Sequence, residues 1–158
     1  ALVLAGTNPG GSKAVLGPTW VQQIDSNETS DWDYLRTNYP ASGIPAGRRF
    51  LTRLDAAVTS GRYPEVDTPQ ATLEAMVAAE DPWLASDANM RALTGIARPT
   101  LVIDGAQDVI TPPVNSRRIA AAIPGARLVL VPRAGHSFVF QDPAGVTATI
   151  NAFLASVR

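Results

Sequence analysis

The chain reads as an α/β protein with about three parallel strands, flanking helices and a helical insertion, and three observations carry that reading. Three short apolar runs are continuous rather than alternating, which suits strands covered on both faces in a parallel sheet. The second and third runs are separated by one helical segment, the layout of a βαβ unit. The long stretch between the first and second carries helical punctuation and no obvious strand.

Taken in order, residues 1–5 (Ala-Leu-Val-Leu-Ala) are apolar but too few for a signal segment or a spanning helix, and no basic residues precede them, so they read as a strand. A chain that opens inside a strand is expected to have a further part upstream. Residues 31–39, 46–60 and 69–79 are the expected helices of the insertion, separated by turns rich in Pro and Gly. Thr68-Pro69 reads as an N-cap followed by a first-turn proline, and Leu73, Met76 and Val77 then form one apolar stripe. Residues 100–104 (Thr-Leu-Val-Ile-Asp) and 126–131 (Ala-Arg-Leu-Val-Leu-Val) are the second and third strands. Between them a helix over 115–123 is stopped by Pro124-Gly125. Asp142-Pro143 caps a last helix, whose Val146, Ile150, Phe153, Leu154 and Val157 fall at helical spacing down to Arg158. The expected organisation is core strand and turn over 1–14, insertion over 15–96, and a C-terminal α/β segment over 97–158.

With 158 residues, 46% hydrophobic and 17% charged, the composition is that of a folded domain with its own core. A formal net charge of −1 supplies no attraction to nucleic acid or to an anionic membrane. The absence of cysteine excludes disulfides, a thiolate nucleophile and sulfur ligands, and fits a cytoplasmic chain. One histidine with scattered carboxylates offers no metal-ligand spacing, and Gly10-Gly11 alone is no phosphate loop, so no cofactor or metal is implied.

The chemistry centres on His136, which closes the string Leu-Val-Pro-Arg-Ala-Gly-His after the third strand, and on Asp108, in the loop after the second. Adjacent parallel strands lie about 4.8 Å apart with their C-terminal ends on one edge, so the two loops should meet there. A carboxylate that accepts the Nδ1 proton holds an imidazole in one tautomer and leaves Nε2 free as a general base. A satisfied loop imidazole is the plainer role for a lone histidine, but the Ala-Gly-His context after a strand favours the acid–base pair. Asp104, at the strand's end, competes with Asp108 as the partner and could instead cap the turn at Gly105.

These residues resemble the α/β-hydrolase superfamily. The segment from Arg98-Pro99-Thr100 through Gly105 and Asp108 to Pro112-Pro113 looks like its seventh strand and acid loop, with Asp108 at the position of the triad acid. From Ile123-Pro124-Gly125-Ala126 to Gly135-His136 the chain resembles the eighth strand and histidine loop, and Phe153-Leu154 the end of the last helix. The opening Leu2 to Gly11 is similar to the sixth strand, which leads into a variable helical cap. The resemblance implies that the first five strands, the oxyanion loop and the nucleophile elbow lie upstream of Ala1. No G-x-S-x-G elbow occurs in the sequence, and the near match Gly10-Gly-Ser12-Lys-Ala14 is separated from its strand by Thr7-Asn8-Pro9. Ser12 reads more simply as a turn serine.

The resemblance therefore implies the C-terminal portion of a cofactor-free serine hydrolase acting on an ester, lactone or related acyl substrate, with Asp108 orienting His136. Its partner would be the missing N-terminal half, and the 158 residues alone should show no esterase turnover. The other reading is a non-catalytic binding or assembly module, or an inactive fragment, that associates with itself through an open sheet edge. Trp20, Trp32, Tyr34, Tyr39, Phe50, Tyr63 and Trp83 are expected to form the insertion's own core or to line an apolar pocket. Phe138 and Phe140 are candidates for a pocket entrance, or for packing under the last helix.

Overall fold

The computed structural model describes residues 1–24, 30–63 and 68–157. Three strands, β1 (Leu2–Ala5), β2 (Thr100–Gly105) and β3 (Arg127–Val131), form a wholly parallel sheet in the order β1-β2-β3. The register pairs Ala5 with Ile103 and Gly105 with Val131, so the C-terminal ends lie side by side. All three expected strands are present, but only β2 is buried throughout. As edge strands, β1 and β3 each have one neighbour, and of their apolar residues only Val131 is buried, the others being half-buried or, at Ala5, exposed.

Alternation along β2 sorts the core into two layers. Leu101 and Ile103 face Val131, Phe138, Val146 and Phe153, with Val3, Val129, Ile150 and Val157 packed around them. Val102 faces the other way, onto Ile119 and Ile123, with Leu4, Ile96 and Leu128 at the margin. The first layer lies under the last helix, α8 (Pro143–Ser156), which follows the short α7 (Phe138–Gln141), and the second under α6 (Val114–Ala122). The expected stripe of α8 is the buried one except for Leu154, which faces solvent. Asp142 caps α8 by accepting from the Gly145 N–H at 3.1 Å, with Pro143 in the first turn. Arg158 lies outside the described residues.

Between β1 and β2 the described residues form helices α1 (Thr19–Gln22), α2 (Asp31–Asn38), α3 (Ile44–Thr59), α4 (Gln70–Leu84) and α5 (Ala88–Ala92). Ser30 caps α2 by accepting from the Asp33 N–H at 3.1 Å, and Asp31 and Asp33 oppose the positive end of the helix dipole. Pro69, not Thr68, occupies the N-cap of α4, and no side chain caps that end. This helix runs beyond residue 79 and through Pro82, where proline removes one backbone donor without ending it. Its stripe is covered only in part: Leu73 is half-buried, Met76 and Val77 are more than half exposed, and no residue of α4 is buried.

Two buried side chains tie this helical stretch to the sheet. Asn115 on α6 meets both backbone groups of Val15, accepting from its N–H at 2.8 Å and donating to its carbonyl at 2.7 Å. At the end of α2 the Asn38 carbonyl accepts from the Ser137 N–H at 3.1 Å, and Asn38 Oδ1 accepts from Ser137 Oγ at 3.0 Å.

Candidate active site

The site forms where the chain leaves the three strands. Beyond β2 the Ala106 N–H donates to the Val131 carbonyl at 3.0 Å, and the Gln107 N–H to the Ala134 carbonyl at 2.8 Å. These bonds join the acid loop to the histidine loop before either side chain is considered. Gly105 allows the approach, since a Cβ there would collide with the carbonyls of Gly135 and Ala134. Beyond β1, Gly6 has φ of 52° and lies against the His136 ring, where an added Cβ would stand 3.5 Å from Cε1. All three strand ends thus converge on the imidazole.

The structure brings His136 to Asp108 rather than to Asp104. Nδ1 lies 2.7 Å from Asp108 Oδ2, with the carboxylate inaccessible to solvent and the imidazole about one-third exposed (side-chain exposures 0% and 32%). Asp108 Oδ1 accepts from the N–H groups of Ile110 at 2.7 Å and Thr111 at 2.9 Å, while Oδ2 also accepts from Thr111 Oγ1 at 2.9 Å. Burial opposes the charge on Asp108, but the hydrogen bond and charge of His136, with the bonds from Thr111, outweigh it and hold the carboxyl below the usual range. The hydrogen bond to Asp108 raises the His136 pKa, against desolvation. The ionised carboxylate fixes the ring proton on Nδ1, so the other nitrogen is the one able to take up a proton.

Asp104 points to the opposite layer of the sheet, the one under α6. It is fully buried, accepts from Ser116 Oγ at 2.7 Å through Oδ2, and accepts from the Gly105 N–H at 2.7 Å through Oδ1. Ser12 lies in the short turn Gly11–Lys13, where its N–H donates to Asp87 Oδ1 at 2.6 Å. That bond anchors the turn to the corner before α5, and Ser12 has no hydrogen bond to His136 among the described residues.

The aromatic residues divide. Tyr34, Tyr39, Phe50 and Phe140 form one cluster, with Phe50 and Phe140 stacked at 4.4 Å between centroids. Trp20, Trp32, Tyr63 and Trp83 are exposed. Phe138 is a core residue under α8 and does not line an entrance, whereas Phe140 is exposed on its outer side beside the histidine loop. Thr111, Gly105, Asn38 and Ser137 were not legible as site residues. Thr111 alone had a signal, its place three residues after the acid in Asp-Val-Ile-Thr-Pro. Among the described residues no three His, Asp or Glu side chains gather as metal ligands.

Residues 76–158, just over half of the chain, match the TAP-like protein family. The chain belongs to this family, within the α/β-hydrolase superfamily. It is 43% identical over 67 residues to a Mycobacterium tuberculosis protein named as a non-heme bromoperoxidase, a match covering 42% of this chain and 26% of the relative. The crystal structure of that protein superposes with a TM-score of 0.66 at 24% identity, covering 99% of this chain and 57% of the other, a likeness of fold. A Pseudomonas syringae protein named as a carbamate hydrolase is 31% identical over 122 residues, 75% of this chain and 42% of the relative. A Nitrosomonas europaea pimeloyl-[acyl-carrier protein] methyl ester esterase is 32% identical over 112 residues, 70% of this chain and 41% of the relative. The chain thus spans less than half of the curated relatives it matches.

Proposed function

We propose that this chain supplies the acid and the base of a Ser-His-Asp triad, Asp108 and His136, in a hydrolase of esters, lactones or related acyl compounds. The observation that carries the reading is the 2.7 Å contact between the His136 ring and a fully buried Asp108. A buried carboxylate left without donors would be costly, and here three backbone and hydroxyl donors besides the ring satisfy it, which leaves the carboxylate oriented toward the ring. Nε2 would take the proton of a serine hydroxyl as that oxygen attacks the acyl carbon. It would then return the proton to the leaving oxygen or nitrogen, and the same cycle with water would release the acid. The carbamate and methyl ester named in the relatives are both carbonyl groups bearing a heteroatom leaving group, the substrate class this cycle serves.

The serine and the oxyanion donors belong, on this reading, to the part of the hydrolase fold that these residues do not span. Residues 15–96 serve as the cap over the site, and β1 offers its free edge to the next strand of the complete sheet. The test is to label the protein, purified with whatever polypeptide accompanies it, with a fluorophosphonate probe and to assay short acyl esters. The label is expected on a serine of the accompanying polypeptide and not on this chain. His136→Ala should lower turnover by at least about 10³-fold without preventing association. A label on Ser12, or unchanged turnover in His136→Ala, overturns the proposal.

A further inference from the structure

Thr111 is the residue through which the acid loop grips its own carboxylate. Four acceptor positions of Asp108 are filled: Oδ1 by the N–H groups of Ile110 and Thr111, and Oδ2 by Thr111 Oγ1 at 2.9 Å and the His136 ring at 2.7 Å. Among the described residues Thr111 alone reaches both oxygens, so it holds the carboxylate against rotation about its Cβ–Cγ bond. The same hydroxyl oxygen stands 3.3 Å from His136 Nδ1. Its single proton is already committed, because an ionised carboxylate can only accept and Oγ1 is the donor of that pair. Toward Nδ1 the hydroxyl can then only accept, and the ring proton lies in a fork between Oδ2 and Oγ1. The local sequence prepares Thr111 for this place: it precedes Pro112-Pro113, which disfavours a helical backbone there, and its β-branched side chain has few χ1 choices.

We propose that Thr111 is a positioning residue of the acid–base pair: its hydroxyl pins Asp108 Oδ2 in line with His136 Nδ1 and, by sharing the negative charge of that oxygen, tempers the pull of the carboxylate on the ring proton. The proposal rests on the reading of Asp108 and His136 as an acid–base pair. A hydrogen bond of 2.9 Å to an ionised carboxylate outweighs the longer contact of the same oxygen with the ring, so the net effect of the hydroxyl is a weaker base than Asp108 alone would make. When the hydroxyl is removed, the two backbone donors on Oδ1 keep the carboxylate in place, and the charge released on Oδ2 falls on the ring. The bonds from Thr111 favour the ionised form of Asp108, the direction this requires. The other charged group acting on the ring is Asp104 of β2, which a change at Thr111 leaves in place. Beyond β1 the neighbour of the ring is Gly6, and α2 meets the adjacent Ser137 with the neutral Asn38 and Tyr34.

With this chain alone carrying ¹³C and ¹⁵N, every imidazole signal in an NMR titration belongs to His136, the one histidine. Thr111→Val, close in shape and without the hydroxyl, should raise the midpoint of the ring's titration and move the Nδ1 proton downfield, the sign of a tighter bond to Asp108. Thr111→Ser, which keeps the hydroxyl, should titrate with the unaltered chain. A hydroxyl that served only to hold the loop would behave in the opposite way, since its loss would let the carboxylate drift from the ring and lower that midpoint. A lowered or unmoved midpoint in folded Thr111→Val therefore overturns the proposal, and so does Thr111→Ser that titrates with the valine variant. Where Thr111→Val does not fold, three-bond couplings from Thr111 Cγ2 to the backbone carbonyl carbon and nitrogen decide in the unaltered chain. One fixed rotamer with Oγ1 on Asp108 supports the proposal, and averaged couplings overturn it. These readouts follow protons and not turnover, so they stand apart from failure of the hydrolase reading in the probe experiment.

Discussion

The two halves of the molecule differ in how their apolar residues are used. Around β2, Leu101, Val102 and Ile103 are at most 1% exposed and are covered on both faces, by α6 on one side and α8 on the other. In the helical stretch between β1 and β2, no residue of α4 is buried, and Met76, Val77 and Trp83 lie open to solvent. Within that stretch Leu35 of α2 and Tyr39 at its end are buried against Gly47 of α3, and the contacts that join it to the rest are Asn115 on Val15, Asn38 on Ser137, and Phe50 on Phe140. Two of these three joining contacts touch the histidine loop or the helix that follows it. The sheet region therefore fixes the acid and base through its own packing, while α2 and α3 pack on each other and are joined to the sheet region chiefly near the site.

That contrast predicts a steep gradient in the cost of truncation. Phe153→Ala should be the most damaging change considered, because the buried ring belongs to the apolar layer between α8 and β2 and its loss leaves a cavity there. A loss of about 3–5 kcal/mol is expected, read as a lowered midpoint in urea with an unchanged slope. A loss below about 1 kcal/mol would mean that α8 is not committed to the sheet, and the contrast between the halves would collapse.

The same division explains what the sequence made legible. Continuous apolar runs located all three strands, and the spacing of Val146, Ile150, Phe153 and Val157 located the face of α8, because each pattern reports a core that the structure does bury. The stripe on α4 has the same helical spacing but leaves Leu73 half-buried and Met76 and Val77 exposed, so periodicity there revealed the helix and not its partner. At the site, strand ends and loop lengths place the acid and histidine loops on one edge, and the choice of Asp108 over Asp104 came from the resemblance to the hydrolase acid loop. Phe138 was ambiguous for a related reason: its position two residues past His136 suggests the site, while the turn into the short helix Phe138–Gln141 carries its ring back into the core. Thr111 and Gly105 act through a hydroxyl bond and a close backbone approach, neither of which has a sequence period.

Within the sheet region itself, the buried carboxyls should give opposite pH signatures. Asp108 is held below the usual range when folded, so its stabilisation is present above the unfolded-state pKa and lost as pH falls through the folded one. Asp104 is raised to about 7, so its contribution is fully present below the unfolded carboxylate range and is lost as pH rises to about 7, after which it is constant. His136, also raised, loses its contribution as pH climbs from the ordinary imidazole range through its folded pKa. Asp104→Asn removes only the second of these. The variant should fall behind or match the unaltered chain near pH 4 and exceed it at pH 8, by an amount on the order of a few kcal/mol. Chemical denaturation at the two pH values reads that crossing directly, and parallel curves would remove Asp104 from the account.

The smallest effect belongs to the surface of α4, and it is the sharpest check on the other half of the comparison. Met76 is 61% exposed and takes part in neither apolar cluster of the core. Met76→Ala removes little buried area and substitutes a better helix former, so the two small terms oppose each other. The change in stability should stay within about 0.5 kcal/mol of zero. A cost above about 1.5 kcal/mol, measured in the same urea titration as Phe153→Ala, would mean that Met76 is buried in solution by something that covers α4. The helical stretch would then owe its stability to that covering contact, and not only to Asn115, Asn38 and the aromatic stack beside the histidine loop.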